Sequence, residues 1–235
     1  FQGFLTPVLI RGRILLSKIQ EVLSPSEKGN WDCVLPDDLL LEAQQFLSMM
    51  IKLPEPVFKR SPPPGVLKEL HAHVDGAEKT FATVVYGVWV VPETGERSGK
   101  LLFSKPKISK RNIPDNELSA MWQGTQVIEN MLKVYKTIEE VHIFGDSECT
   151  NKMLSSKNRP KDVYKANRIN AALANIQEIK DNGANVSIHL VKSEDNASDI
   201  CTKFKENAPE FLHSKEWKEG PACLLYTSDA ADETC

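Results

Sequence analysis

The chain has 235 residues, 41% of them hydrophobic and 26% charged, enough for one full globular domain with an appendage. No stretch reaches the roughly 20 uninterrupted apolar residues of a membrane helix. The opening FQGFLTPVLIRGRILL carries Arg11 and Arg13 inside its apolar run with no small-residue cleavage site behind it, so the sequence reads as soluble and untargeted, with no membrane partner. With 29 basic and 32 acidic residues, the total charge neither demands nor forbids a nucleic-acid partner, because phosphate affinity comes from local clusters of Lys and Arg.

In chain order, Ile10, Ile14, Leu15, Ile19, Val22 and Leu23, then Leu39, Leu40, Ala43, Phe46 and Leu47, fall at helical spacing, broken by SPSEKGNWD and LPEP. Residues 1–62 therefore read as a small helical connector of two or three helices. The chain opens without an initiator Met and in mid-pattern, which predicts a natural product extending upstream. The consecutive prolines of RSPPPG, Arg60 to Gly65, can neither continue a helix nor donate to a sheet ladder, and they set a boundary before a second unit over residues 66–222.

That unit opens with three strand candidates, Leu70–Asp75, Phe81–Val91 and Lys100–Ile108, with ETGERSG as the last turn of an antiparallel meander. Pro114, Asp115 and Asn116 then start a helix running to about Tyr135, with Leu118, Met121, Trp122, Thr125, Ile128, Met131 and Leu132 at helical spacing. EEVHIFGDS reads as a short buried strand, Val163–Ile179 as a further helix, ANVSIHLV as another strand, and DNASDICTKF as the opening of a last helix. The order β-β-β-α-β-α-α-β-α predicts an α/β fold, a mixed five-stranded sheet flanked by helices. CLLYTSDAADE, Cys223 to Glu233, resembles a translated sequencing adapter, so residues 223–235 read as an artefactual tail. Without it three acids and no bases go, and the balance becomes 29 against 29. Cys33, Cys149 and Cys201 remain, too scattered for a zinc site or a disulfide framework, and read as buried free thiols of a reducing compartment.

The acids stand where these elements end. Asp75 closes the first strand, Asp146 closes the fourth, Asp199 follows the fifth by one loop, and Glu117 falls in the first turn of the helix after the meander. If the first and fourth strands are neighbours, Asp75 and Asp146 emerge at one sheet edge, where the helix starts carrying Glu117 and Asp199 can converge. Carboxylates crowded that closely cannot all stay ionised without cations, and hard, oxygen-seeking divalent ions such as magnesium are their natural occupants. Two ions about 4 Å apart would activate a water and stabilise the leaving oxygen of a phosphodiester displacement. Any one Asp in such a place is more often a cap or turn residue, so the case rests on all four together. The run Asp, Glu, Asp, Asp also separates the chain from a DDE integrase, which places its Glu last, and from a DEDD exonuclease, which carries Asp-x-Glu on the first strand.

Several segments resemble the Bel/Pao retrotransposon polyprotein after its reverse-transcriptase palm. FLTPVLIRGRILL with WDCVLPDDL is similar to the family's LxPV-xxRGRILLQ and W-D-xx-LP elements, which implies a connector. VDGAEKTFATVVY resembles DASxxAYGAVVY, PDNELSAMWQG resembles PRLELCAALLG, and FGDSECT resembles WTDSxxV; they carry Asp75, Glu117 and Asp146. YKANRINAALANIQEI is similar to FVANRVAEIQ, SEDNASDICTK resembles KENPADIASRG and brings in Asp199, and HSKEWKEGPACLL is similar to SSLWWxGPxWL, broken just after Ala222.

The resemblance implies a ribonuclease H-like fold and a nuclease that cuts the RNA strand of an RNA/DNA hybrid during reverse transcription. Asp75, Glu117, Asp146 and Asp199 would be both catalytic and metal-binding, with two Mg2+ ions or Mn2+ in their place. It also implies an upstream reverse-transcriptase domain, a downstream integrase, and a cytoplasmic virus-like particle with nuclear entry left open. The sequence departs from the pattern at Ala77, where the family has Ser, at Asn116, where it has Leu, and at Ala197, where it has Pro. The family's His before the last loop aligns on Leu190; His189 lies one residue early, on the opposite strand face, and receives no catalytic role.

For substrate contact, Lys105, Lys107, Lys110 and Arg111 cluster just before the helix of Glu117, with Asn167 and Arg168 as further candidates for phosphate. A hybrid would be recognised by shape and by 2′-hydroxyls rather than by sequence. Trp89, Trp122 and Phe81 fall at core-like spacing and read as packing. Two other readings compete. One is an inactive ribonuclease H-fold scaffold that only binds nucleic acid or supports the polymerase. The other is an aspartic protease, which needs an Asp-Thr/Ser-Gly turn; Asp75-Gly76-Ala77 and Asp146-Ser147-Glu148 do not supply one.

Overall fold

A computed structural model of the chain describes residues 3–23, 34–53, 61–203, 205 and 208–222. Trp31 to Cys33 of the tryptophan-containing connector motif, Arg60 and the tail from Cys223 onward lie outside the described residues. The β-branched and aromatic run after Gly65 forms three long strands, β1 (Val66–Gly76), β2 (Thr80–Val90) and β3 (Arg97–Ile108). β1 begins four residues before the sequence expectation because Val66 pairs with Val90 at the far end of β2, across a bulge between Leu67 and Glu69. β4 (Glu140–Gly145) and β5 (Asn185–Leu190) complete one sheet in the order β3-β2-β1-β4-β5. β1, β2 and β3 are antiparallel neighbours, while β4 runs parallel to β1 and β5 parallel to β4.

One face of this mixed five-stranded sheet is covered by α3 (Ile113–Val134) and α5 (Val163–Asp181). Leu70, Ala72 and Val74 of β1 meet Leu118, Met121 and Ile128 of α3 and Ile169 and Ile179 of α5 there. Each fully buried side chain of this size contributes roughly 1.5–3 kcal/mol relative to exposure. Gly124 brings α3 close: a Cβ at this position would lie 2.7 Å from Cγ1 of Val74. α3 starts at Ile113 because Asn112 caps it, accepting the Asp115 amide at 3.0 Å, so Glu117 lies one turn inside the helix rather than in its first turn. α4 (Glu148–Ser155) follows β4 directly, capped by Ser147.

α1 (Thr6–Leu23) covers the other face together with three short C-terminal helices, α6 (Asp199–Thr202), α7 (Ala208–Phe211) and α8 (Lys215–Glu219). The expected single last helix is broken because its ends bond to the sheet: the Thr202 carbonyl accepts from Thr80 Oγ1 at 2.6 Å, and Asn196 Nδ2 donates to the Val74 carbonyl at 2.8 Å. Val8 of α1 joins Val84, Tyr86 and Trp217 in this second core, and Trp217 Nε1 donates to the Phe4 carbonyl at 2.9 Å. The helix read as connector thus shares a core with the sheet, and α2 (Asp37–Lys52) packs on α1. Among the described residues no helix is long and apolar enough to cross a membrane. Cys201 is buried as expected, but Cys149 is exposed, because the first turn of α4 presents it to solvent.

Candidate metal centre

The parallel register pairs Val74 with Gly145, so the next residues, Asp75 and Asp146, emerge side by side where β1 and β4 end. α3 closes on the same point. A Cβ on Gly76 would stand 2.2 Å from the Glu117 amide nitrogen, so only glycine admits the helix backbone this close. One carboxylate oxygen each from Asp75, Glu117 and Asp146 then lie within 4.8 Å of one another, a spacing that could hold a metal ion.

Electrostatics agree with that reading. Burial, then the charges of Asp75 and Asp146, push the Glu117 carboxyl up to about 8, even though it accepts a hydrogen bond from the Gly76 amide. Burial also raises Asp75, with the charges of Asp146 and Asp199 acting the same way, against a hydrogen bond from Thr202 Oγ1 to Oδ2. Oδ1 of Asp146 is buried with no hydrogen-bond partner. Three crowded acids, two with raised carboxyls and the third with an unpartnered oxygen, form a donor set suited to a hard divalent cation.

Asp199 is placed differently. It is buried at the start of α6, but Lys203 holds its Oδ1 at 2.9 Å and Lys205 its Oδ2 at 2.6 Å. Burial alone would raise this carboxyl, and the two lysines outweigh it and hold it below its ordinary value. Asp199 does not belong to the three-acid cluster, though it is near enough for its charge to act on Asp75.

Two of the three departures from the family pattern make bonds that the family's residue could not. Asn116 is fully buried and its Nδ2 donates to the Ala77 carbonyl at 2.7 Å and to the Arg111 carbonyl at 3.2 Å, tying the start of α3 to the β1–β2 turn, a bond leucine could not make. The Ala197 amide donates to His73 Nδ1 at 3.3 Å, a bond proline could not make.

Beside the acids, the basic cluster is ordered by aromatic rings. Arg111 lies 3.4 Å from the centre of the Tyr164 ring and 3.7 Å from Asp115, and Arg168 lies 3.9 Å from the centre of Trp122. Lys107 stands 5.5 Å from Trp122 and 5.8 Å from Phe81. Lys105 is exposed, Lys110 pairs with Glu21 at 3.4 Å, and Asn167 is exposed on α5. Trp89 and Phe81 are buried in the core, but Trp122 is only half-buried and flanked by cations, which its helical spacing did not reveal.

Sequence reasoning also missed a second cluster at the other end of β1. His71 and His73 on β1, His142 and Phe144 on β4 and His189 on β5 share one sheet face, with ring centres 4.7 to 5.8 Å apart for the pairs His71–His142, His73–Tyr86, His73–Phe144 and Phe144–His189. His189 Nε2 lies 3.1 Å from His142 Nδ1. Glu69 receives both arms of Arg97 at 2.7 Å and lies 3.0 Å from His71 Nε2. Burial raises the Glu69 carboxyl, but hydrogen bonds from His71 and Arg97 bring it down to about 2; burial lowers His71 to about 4 and His73 to about 3. The alternation His71-Ala72-His73 was the available signal.

A three-antiparallel, two-parallel mixed sheet with acids converging where its central parallel strands end defines a ribonuclease H-like domain with an acidic site able to take a metal. The family of the Pao retrotransposon-like RNaseH-like domain matches residues 2–147, and the chain belongs to it. No curated protein matches the chain in sequence. Among solved structures the chain is similar to RNase H1 from Halobacterium salinarum, with 18% identity, 55% of this chain and 89% of that one covered, and a TM-score of 0.34. It is also similar to the N-terminal RNase H domain of a Mycobacterium tuberculosis protein, with 12% identity, 62% and 96% coverage and a TM-score of 0.42. A further likeness is to the foamy viral protease-reverse transcriptase in complex with dsDNA, with 8% identity, 76% of this chain and 33% of that one covered, and a TM-score of 0.43.

Proposed function

We propose that this domain is a divalent-metal-dependent nuclease that cuts the RNA strand of an RNA/DNA hybrid during reverse transcription, within a retrotransposon Pol polyprotein that also carries a reverse transcriptase and an integrase and works in a cytoplasmic particle. The observation that carries the reading is the convergence of Asp75, Glu117 and Asp146 within 4.8 Å. These three residues, joined by Asp199 when it leaves its lysines, would hold Mg2+, with Mn2+ as a substitute. Bound in a pair, such ions activate a water and stabilise the leaving oxygen of a phosphodiester.

The chain's own groups prepare the site. Thr202 fixes one oxygen of Asp75 and the Gly76 amide fixes Glu117, so both carboxylates are held in position before any cation arrives. Lys105, Lys107, Lys110, Arg111, Asn167 and Arg168 would receive the phosphates of the hybrid, with Arg111 and Arg168 held flat by Tyr164 and Trp122.

The test is cleavage of a hybrid labelled on its RNA strand, with Mg2+ or Mn2+, beside an Asp146→Asn control. Metal-dependent cutting that the control abolishes supports the nuclease. The pairing of Asp199 with two lysines favours a second reading, a scaffold that binds the hybrid without cutting it. Binding by folded protein with no cleavage in either metal would select that one.

A further inference from the structure

The acidic site leaves the histidines unused. Four of the chain's five, His71, His73, His142 and His189, line the sheet face away from α3 and α5. The register sets His142 directly beside His71, and Glu69 precedes His71 by two residues on the same face of β1. One oxygen of Glu69 and one ring nitrogen each of His71 and His142 lie within 4.8 Å of one another. We propose that Glu69, His71 and His142 form a second metal site, an imidazole–carboxylate centre that takes zinc or another borderline divalent transition metal and leaves one position open to water.

The donor set is the reverse of the acidic site. Two nitrogens and one oxygen suit zinc, whereas magnesium prefers oxygen alone. Ligand atoms on a tetrahedral zinc stand about 3.3 Å apart, and His71 Nε2 already lies 3.0 Å from Glu69 Oε2, so the ion would take the place of the proton those two atoms share. Arg97 occupies one lone pair on each Glu69 oxygen and fixes the carboxylate, and a second lone pair on each remains for the metal. His189 is the outer partner. Its Nε2, 3.1 Å from His142 Nδ1, fixes the orientation of that ring and directs the other nitrogen, Nε2, to coordination. The charged groups around the site are Arg97 and, next to Glu69 in the register, Glu140, which offset one another. Burial keeps both ligand histidines neutral near pH 7, so their lone pairs are available, and half-buried His142 gives the ion a way in. The site lies about 13 Å along β1 from Asp75, too far to share an ion with the acids.

The full chain would be titrated with Zn2+ in millimolar Mg2+, which keeps the acidic site occupied, and with Co2+ as a coloured probe. The expected result is one tightly bound equivalent of zinc and a visible cobalt band of low-coordinate nitrogen–oxygen type, without the ultraviolet charge-transfer band of a cysteine thiolate. His142→Gln, checked for folding by circular dichroism, should lose the band and weaken zinc at least about tenfold, and His189→Ala should weaken it by about tenfold. Asp146→Asn should change neither. A wild-type chain with no visible cobalt band overturns the proposal whatever the variants do. So does zinc that survives His142→Gln and disappears in Asp146→Asn.

Discussion

The two ends of β1 carry opposite chemistry on one strand face. At its C-terminal end, Asp75 meets Glu117 and Asp146, where burial and then neighbouring charge raise the Asp75 and Glu117 carboxyls. Toward its start, Glu69 meets His71 and His142 under the fork of Arg97, where burial keeps the imidazoles neutral. The same pair of strands, in the same register, supplies the whole of the histidine end and, together with Glu117 of α3, the acidic end. The difference teaches that the backbone fixes only where side chains meet; whether the meeting place asks for a hard cation, a borderline one or a proton depends on the residues set two apart along one face.

The strongest way to break the comparison is Asp146→Asn. It should lower metal-dependent hybrid cleavage by about a thousandfold or more and leave the histidine end unchanged, read by single-turnover kinetics beside zinc titration. An equal loss at both ends would mean that β4 had shifted as a whole. Next in size is Gly76→Ala. Its Cβ would collide with the backbone of Glu117, so α3 must back away, and chemical denaturation should report a loss of about 3 kcal/mol together with weaker Mg2+ binding.

pH should divide the two ends. In metal-free protein the folded Glu117 carboxyl, near 8, lies above its unfolded value of 4.5, so its stabilising share is complete below 4.5 and is lost as pH rises through 8. His71 and His73, near 4 and 3 when folded, lie below their unfolded value of 6.5, so theirs is present above 6.5 and is lost as pH falls through 4. Thermal unfolding should therefore show a stability maximum between these limbs, the alkaline one worth about 2–3 kcal/mol after allowance for the partial exposure of Glu117 and the acid one, carried by two buried imidazoles, about 5–8 kcal/mol. Saturating Mg2+ should flatten the alkaline limb alone; a flattened acid limb would count against the division. The smallest effect belongs to Ala197→Pro. Asn196 already has the extended backbone that precedes proline, φ −85° and ψ 104°, and the change removes the bond to His73, a cost of about 1 kcal/mol.

The sequence made the acidic end legible and the histidine end not. Asp75 and Asp146 each stand where a strand-like run stops, and once a parallel β1–β4 pair is supposed, their meeting needs no further information. Glu117 followed from the helix start at Pro114, Asp115 and Asn116, though the cap at Asn112 moved it one turn inward. The pairing of Asp199 with Lys203 and Lys205 was hidden, because it depends on how a one-turn helix and the residues after it lie over the sheet. The histidines show only as His71-Ala72-His73; His142 and His189 join them through two parallel pairings whose register no local pattern specifies. Trp122 packs against the core as its spacing predicts, but the cations beside it were hidden for a similar reason: helical spacing tells which side of α3 it occupies, not that Arg168 of α5 and Lys107 of β3 lie against its ring.

The parallel pairing of β4 with β1 also sets a timetable. β1, β2 and β3 are consecutive in the chain and can zip together while synthesis is still under way, but about 70 residues separate Val74 from Gly145, so their contact is among the slower ones to form. His142 and Asp146 ride in on the same short strand. A growing chain that has made only the meander holds one of the three acids and two of the three residues of the histidine end, and can complete neither; when β4 docks, both are finished in one event. A polypeptide interrupted anywhere before residue 146 is thus born without its acidic centre.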